Sequence, residues 1–416
     1  MSVWDRFDGS SLSPACIVVP RALHNVTSSM SLMVTTTIPL SLSHHFAALS
    51  DPRVERTRQH ELLDIVGIAL CAVISGAESW PAVERYGHAK RDWLAEHFRL
   101  TNGIPSHDTF RRVFCLLDPE AFQRGFSDWI AALADSGVGL RRVIPIDGKT
   151  ARRSGRRGSG LAPLHLVSAW AGANHVTLGQ VAVEDKSNEI TAIPKLLELL
   201  DLSGALVTID AMGCQKEIAA KIVGRGGDYL LAVKENQPHL YEDIDARFTE
   251  ALETDCAGLP YSMARTEGPN RGRQEVRECH GIAHPEGLRD AGLWAGLAAI
   301  CMVLSHRVVA GVESIECRFY IGSFVGTAQE YLSAIRGHWG IENSLHWVLD
   351  VVFREDESRH HAGNSGENLA LLRRLAIGLL KQEKSSNDSL KTKRLRCGWD
   401  NDYLAKVLAA GQVEDA

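Results

Sequence analysis

The chain has 416 residues, of which 45% are hydrophobic and 23% charged, with a formal net charge of −6. That length exceeds one small core and the composition is that of a globular protein, so two or three domains are expected. The best membrane candidate, Leu62 to Ile74, is an apolar run of about 13 residues that carries Asp64; it falls short of a span and predicts a buried helix, with no membrane partner. Nine scattered cysteines, an odd number without a Cys-x-x-Cys pair, argue against a disulfide framework or a structural zinc site and fit a cytoplasmic protein.

Residues 1–40 are rich in Ser, Thr and Val without sustained periodicity and lack the basic start of a signal peptide; they read as a poorly ordered extension, with Met30 and Met33 as alternative starts. Helical texture begins near Asp51. The spacing predicts helices over 60–75, over 81–97 and over 120–134, with Ser106 capping a short one that carries Arg111 and Arg112. Together these form a small all-α domain over 41–138. The short helix with paired arginines resembles part of a helix-turn-helix, which makes Arg111 and Arg112 candidate DNA contacts.

From Val143 the pattern alternates. Strands are predicted at 143–147, 164–171 and 176–184, a helix capped by Asn188, then strand 205–210, helix 214–224 and strand 228–234. Three strands followed by helix, strand, helix and strand imply an α/β domain, a mixed sheet with flanking helices, over 139–385. Residues 236–326 break the alternation with a helix near 240–254 and β-like runs at 275–282, 297–304 and 315–322, so they are read as a largely β insertion. A helix starting near Thr327 returns the chain to the sheet, and 386–416 remain as a C-terminal tail.

Three acids stand out. Asp147 ends the apolar run Val-Ile-Pro-Ile, Asp210 ends Ala-Leu-Val-Thr-Ile, and Glu342 lies on the last helix with His338 and His346 one turn to either side on the same face. Carboxylates delivered by two strand ends and a helix suit divalent cations, which take hard oxygen ligands from rigid elements. Around Asp147 the chain is basic: Arg141, Arg142, Lys149, Arg152, Arg153, Arg156 and Arg157 lie within 141–157 against that single acid. This arrangement suits a phosphate-bearing substrate. A second basic run, from Arg373 and Arg374 through Lys381, Lys384, Lys391, Lys393, Arg394 and Arg396, reads as a solvated face.

Other patterns carry less. Gly148-Lys149-Thr150 has the tail of a P-loop, but Val143 stands where its first glycine belongs. His338-x3-Glu342-x3-His346 could approach zinc from one helix face, yet it brings no third ligand. Trp339 and Trp347 adjoin apolar helix positions and are expected in core or cap roles. Arg273, Glu275 and Arg277 share a strand face, as a salt-bridged surface or as a DNA contact.

Seven segments in order resemble a known family: Asp51-Pro-Arg53, Gly103 to Arg112, Ile146-Asp147-Gly-Lys149, Asp185 to Ile190, Thr208 to Gln215, Lys234-Glu-Asn236-Gln237 and His338-Trp-Gly-Ile-Glu342-Asn. The chain resembles insertion-sequence transposases of the DDE class, specifically the ISAs-type, with an RNase H-like core and a helical transposase-associated N-terminal domain. That resemblance implies that Asp147, Asp210 and Glu342 hold two Mg²⁺ or Mn²⁺ ions. It implies cleavage at element ends and transfer of the 3′-OH into target DNA. The expected partners are terminal inverted repeats, target DNA and a homo-oligomeric synaptic assembly, with the protein cytoplasmic and nucleoid-associated when bound. Lys149, Arg152, Arg153, Arg156, Arg157, Lys234, Asn236, Arg336 and His338 become candidate backbone contacts. One departure is plain: related transposases carry Tyr-x2-Arg-x3-Glu-x6-Lys around the third acid, and here those places hold Ile335, His338, Glu342 and Leu349. The alternatives are an RNase H-like nuclease that cuts without joining, and an inactive transposase-derived DNA-binding protein.

Overall fold

The computed structural model describes residues 44–134, 142–155, 162–183, 189–270, 273–309, 312–360 and 362–410. The expected extension over 1–40 and the Asn188 cap lie outside them.

Five helices lead: α1 (Leu62–Ile74), α2 (Trp80–Ala89), α3 (Arg91–His97), α4 (His107–Leu116) and α5 (Pro119–Ala134). Helix α1 is apolar all round and accordingly buried. Its one acid, Asp64, is accommodated by accepting the Leu100 backbone N–H at 3.1 Å. Ser106 caps α4 through a bond from the Thr109 N–H at 3.3 Å. The helix expected over 81–97 is two, broken at Lys90 (φ −109°, ψ 16°). The Lys90 ammonium reaches Asn401, 311 positions away, at 2.7 Å, a partner that local periodicity cannot reveal.

A nine-stranded sheet follows: β1 (Val143–Thr150), β2 (His165–Ala171), β3 (Val176–Val183), β4 (Leu206–Ile209), β5 (Asp228–Val233), β6 (Tyr261–Asn270), β7 (Arg273–Ala283), β8 (Ala299–Val309) and β9 (Val312–Gly322). Their order is β3-β2-β1-β4-β5-β9-β8-β7-β6. Strands β1, β4 and β5 are parallel, which brings Ile146 beside Ile209 and sets Asp147 and Asp210 side by side where the β1–β4 pairing stops. Asp210 follows the end of β4 as expected, but Asp147 lies within β1, which continues to Thr150 because its pairing with β2 runs on past the acid. The β runs expected as an insertion continue the sheet, because β9 pairs antiparallel with β5, Leu230 opposite Gly322.

Helices α6 (Glu189–Glu198), α7 (Lys216–Gly224) and α8 (Pro238–Glu253) contribute, with one face of the sheet, to a single core containing Ile144, Ile146, Ile193, Leu196, Ile209, Ile218 and Ile244. Helix α9 (Ala328–Ile341) packs on Leu206, Leu230 and Cys301 through Tyr331, Leu332 and Ile335. A capping box fixes its start: Thr327 Oγ1 accepts from the Glu330 N–H, and the Thr327 N–H donates to Glu330 Oε2 at 2.7 Å. After α9 come a π-helical turn, Glu342–His346, and helices α10 (Trp347–Val351), α11 (Ser365–Gln382), α12 (Leu390–Trp399) and α13 (Asn401–Ala409).

The stretch read as a C-terminal tail thus holds two helices. Cys397, Tyr403, Leu404 and Val407 bury against the core that α1, α4, α5 and α11 share. The second basic run is not a solvated face: Arg373, Arg374, Lys393 and Arg394 are all buried. Arg394 donates to the carbonyls of Val352 and Val73, and Lys393 pairs with Glu383 at 3.0 Å. Here the arginines and lysine tie helices together by satisfying backbone carbonyls in the interior.

Candidate active site

Strand β1 carries Asp147 toward the end that β4 shares. Its Oδ1 accepts the Gly148 N–H at 2.8 Å, and its Oδ2 lies 3.5 Å from His346 Nδ1. Asp210 caps the short 3-10 turn Ala211–Gly213, with Oδ1 receiving the N–H groups of Met212 at 3.1 Å and Gly213 at 3.4 Å. Asn236 braces that turn by donating to the Ala211 carbonyl at 2.8 Å. Glu342 opens the π-helical turn after α9, a local widening that recurs at functional sites. It is exposed, whereas the Asp147 side chain is only 19% exposed.

All three acids line one cavity of about 870 Å³, together with Thr208, Gln215, Lys234, Asn236, Arg318, His338 and Trp339. Burial is the main cause that pushes the Asp147 carboxyl up to about 7, and Asp210, Glu342 and Glu189 add to it. Asp210 is raised by burial, then by Glu189, against the pull of Lys234. His338 donates to or accepts from Thr208 Oγ1 through Nδ1 at 3.1 Å, and burial lowers its pKa to about 4. His346 is lowered to about 3 by burial, Arg374 and Lys149. Both imidazoles are therefore neutral near pH 7, and His338 lines the cavity as a neutral group rather than as a cation.

Two family models match this chain: "Transposase DDE domain" over 139–379 and "DDE_Tnp_1-associated" over 43–130. The chain belongs to the DDE transposase family. The Escherichia coli O157:H7 protein named putative transposase YncI is 40% identical over 375 residues, 89% of this chain and 95% of that one. The H repeat-associated putative transposase YhhI of Escherichia coli K12 is 38% identical over 373 residues, 88% of this chain and 97% of that one. Among solved structures, a piggyBac transposase synaptic complex with hairpin DNA aligns over 92% of this chain and 81% of that chain, with a TM-score of 0.38 and 10% identity.

The other expected contacts of this DDE transposase divide. Lys234 and Asn236 are exposed in the cavity wall. Arg152 and Arg153 are exposed just beyond β1, with Arg152 Nε 3.3 Å from Asp356 Oδ2, while Arg156 and Arg157 lie outside the described residues. Arg111, 3.3 Å from Asp108, and Arg112 are exposed on α4. Arg336 is exposed on α9, outside the cavity lining.

Lys149 departs from expectation. It is 8% exposed, with its ammonium 2.7 Å from Asp350 and 3.3 Å from Asp356. Three acids late in the chain neutralise it, so it is a structural ion rather than a phosphate contact. Both tryptophans also depart from the core or cap reading: Trp347 is 56% exposed, and Trp339, 36% exposed, lines the cavity under the Arg318 guanidinium at 4.9 Å. The shared strand face of β7 is salt-bridged: Glu275 Oε1 accepts from Arg277 at 2.9 Å and from Arg307 at 2.8 Å.

Sequence reasoning missed Arg318, Gln215 and the contact of His346 with Asp147. The first lies on β9, inside the presumed insertion, and its approach to α9 needs the β9–β5 pairing.

The donor chemistry fits divalent cations. All three acids offer hard oxygens, and a cation would favour the charged form of Asp147, which burial first and the neighbouring carboxylates second now disfavour. Among the described residues, no three His, Cys, Asp or Glu side chains close into a cage around a single ion. Mg²⁺ does not require one, since it commonly takes one or two carboxylates and completes its shell with water and substrate phosphate.

Proposed function

We propose that this DDE transposase cuts DNA at the ends of an insertion sequence and joins the freed 3′-OH to target DNA, with Asp147, Asp210 and Glu342 as its metal ligands. The observation that carries this reading is the convergence of those acids, from three separate elements, on one cavity. Two Mg²⁺ or Mn²⁺ ions would supply a lowered nucleophile pKa and stabilisation of the leaving oxygen.

The chain's own groups do the remaining work. Asp210 presents its carboxylate at a fixed place because Met212 and Gly213 hold Oδ1. Asn236 keeps that turn against β5, and Lys234 beside it bears a positive charge at the cavity wall, suited to a backbone phosphate. Arg152, Arg153, Arg156 and Arg157 would hold flanking phosphates without sequence preference. DNA ends and target DNA are the partners in this reading, two ends imply paired copies of the chain, and the work takes place in the cytoplasm on the nucleoid.

The test is cleavage and strand transfer on a labelled end substrate with Mn²⁺, together with end binding by gel shift. Asp147→Asn, Asp210→Asn and Glu342→Gln should each abolish cleavage and joining while end binding persists. Full activity in any one of them removes that residue from the site, and cutting without joining by the unaltered protein reduces the reading to a nuclease.

A further inference from the structure

The first residue of α6, Glu189, does not line the cavity that holds the three acids. It is 5% exposed and its Oε1 lies 2.7 Å from Nε2 of His165, itself 2% exposed on β2. The other ring nitrogen of His165 is 2.7 Å from Thr150 Oγ1 on β1. A buried chain of hydrogen bonds thus runs from the catalytic strand to the Glu189 carboxylate.

Two close approaches fix α6 against both aspartates. At Gly148, next to Asp147, a Cβ would come 2.5 Å from Glu189 Oε1 and 2.7 Å from His165 Nε2, so the pair fills the space that this glycine leaves. At Gly213, in the turn that Asp210 caps, a Cβ would stand 2.3 Å from Ile209 of β4 and 3.0 Å from Ile193 one turn along α6. Ile190, adjacent to Glu189, lines the cavity. The head of α6 is therefore wedged between the strand of the first acid and the turn of the second.

A buried acid–imidazole pair is a poor investment for stability alone, since two apolar side chains of similar volume would serve as well or better. We propose that Glu189, held by His165, is a fourth acid of the metal centre: a positioning residue whose negative charge, behind Asp147 and Asp210, strengthens divalent-cation binding. This rests on the reading that those two aspartates and Glu342 hold the ions.

The experiment is direct Mn²⁺ binding to the full chain, followed by electron paramagnetic resonance of the free ion, with thermal unfolding alongside. Glu189→Gln keeps an acceptor for His165 and removes only the charge. It should weaken Mn²⁺ binding about tenfold or more, the scale on which supporting groups tune metal sites, without lowering the unfolding temperature. Should it fail to fold, the double variant His165→Met/Glu189→Met, apolar and of similar volume, is measured instead and should show the same loss. Mn²⁺ affinity equal to the unaltered protein in the folded variant overturns the proposal and leaves the pair as packing. Asp210→Asn separates the two readings: if it weakens Mn²⁺ binding while Glu189→Gln does not, only the fourth acid fails. If neither the unaltered protein nor Asp210→Asn binds Mn²⁺ differently from a non-specific surface, the metal reading fails and the fourth acid with it.

Discussion

Replacing Glu355 by glutamine removes one buried charge on which two buried arginines depend. The carboxylate is 2% exposed; Oε1 stands 3.1 Å from Arg374 and 3.8 Å from Arg373, and Oε2 is 3.8 Å from Lys149. Burial works to raise its pKa, but Arg374, Arg373 and Lys149 overcome that, and the carboxyl stays below its usual range. Lys149 keeps Asp350 and Asp356 when Glu355 is neutralised. The two arginines, 0% and 4% exposed, would face the interior without the carboxylate that now neutralises them. Breaking a buried ion pair from one side costs about 3–5 kcal/mol. With a urea m-value of about 3 kcal/mol/M for a chain of this size, the midpoint should fall by about 1–1.7 M. Equilibrium unfolding by circular dichroism, checked by tryptophan fluorescence, measures this. The variant Glu355→Met/Arg373→Met/Arg374→Met should recover most of the loss, because the apolar triad leaves no ion behind. A Glu355→Gln midpoint unchanged within error would refute the claim that Arg373 and Arg374 depend on Glu355 for their neutralisation.

Three further outcomes are expected. Arg152→Ala/Arg153→Ala should reduce the slope of log affinity against log salt by about 1.8, at roughly 0.9 per phosphate on duplex DNA, with discrimination for element ends unchanged; an unchanged slope in a filter-binding series would make the two arginines a solvated loop. Burial, then Glu120 and Asp118, pushes Glu367 up to about 7. A raised folded-state pKa means that the folded chain holds the proton more tightly, so stability is greatest below about pH 4.5 and is lost as pH rises through about 7. Glu367→Gln should flatten the fall in urea midpoint between pH 5 and 8 by an amount worth up to about 3 kcal/mol, and an unaltered pH profile would contradict the assigned burial. Finally, Asn236→Ala should lower cleavage more than end binding, since the side chain braces the Asp210 turn; equal loss of both in paired cleavage and gel-shift assays would make it a DNA contact instead.

What the sequence determined by itself was whatever depends on neighbours within about ten residues. Apolar runs before Asp147 and Asp210 marked two strands, of which only the second ends at its acid, and Ser106 marked a cap. His338, Glu342 and His346 were legible as neighbours on one helix face, because spacing along a helix is a local property. The family resemblance rested on short motifs of the same kind. Tertiary structure alone decided the partners. Lys149 looked like a phosphate ligand until residues some two hundred positions away neutralised it. Arg318 reached the cavity through a strand pairing that joins a presumed insertion to the main sheet. The basic run at 373–396 divided into buried carbonyl and carboxylate partners and exposed surface, although its composition is uniform. Charge is written in the chain, but its electrostatic meaning depends on burial and on which opposite charge folding brings within about 4 Å. Those distances are set only when distant segments pack.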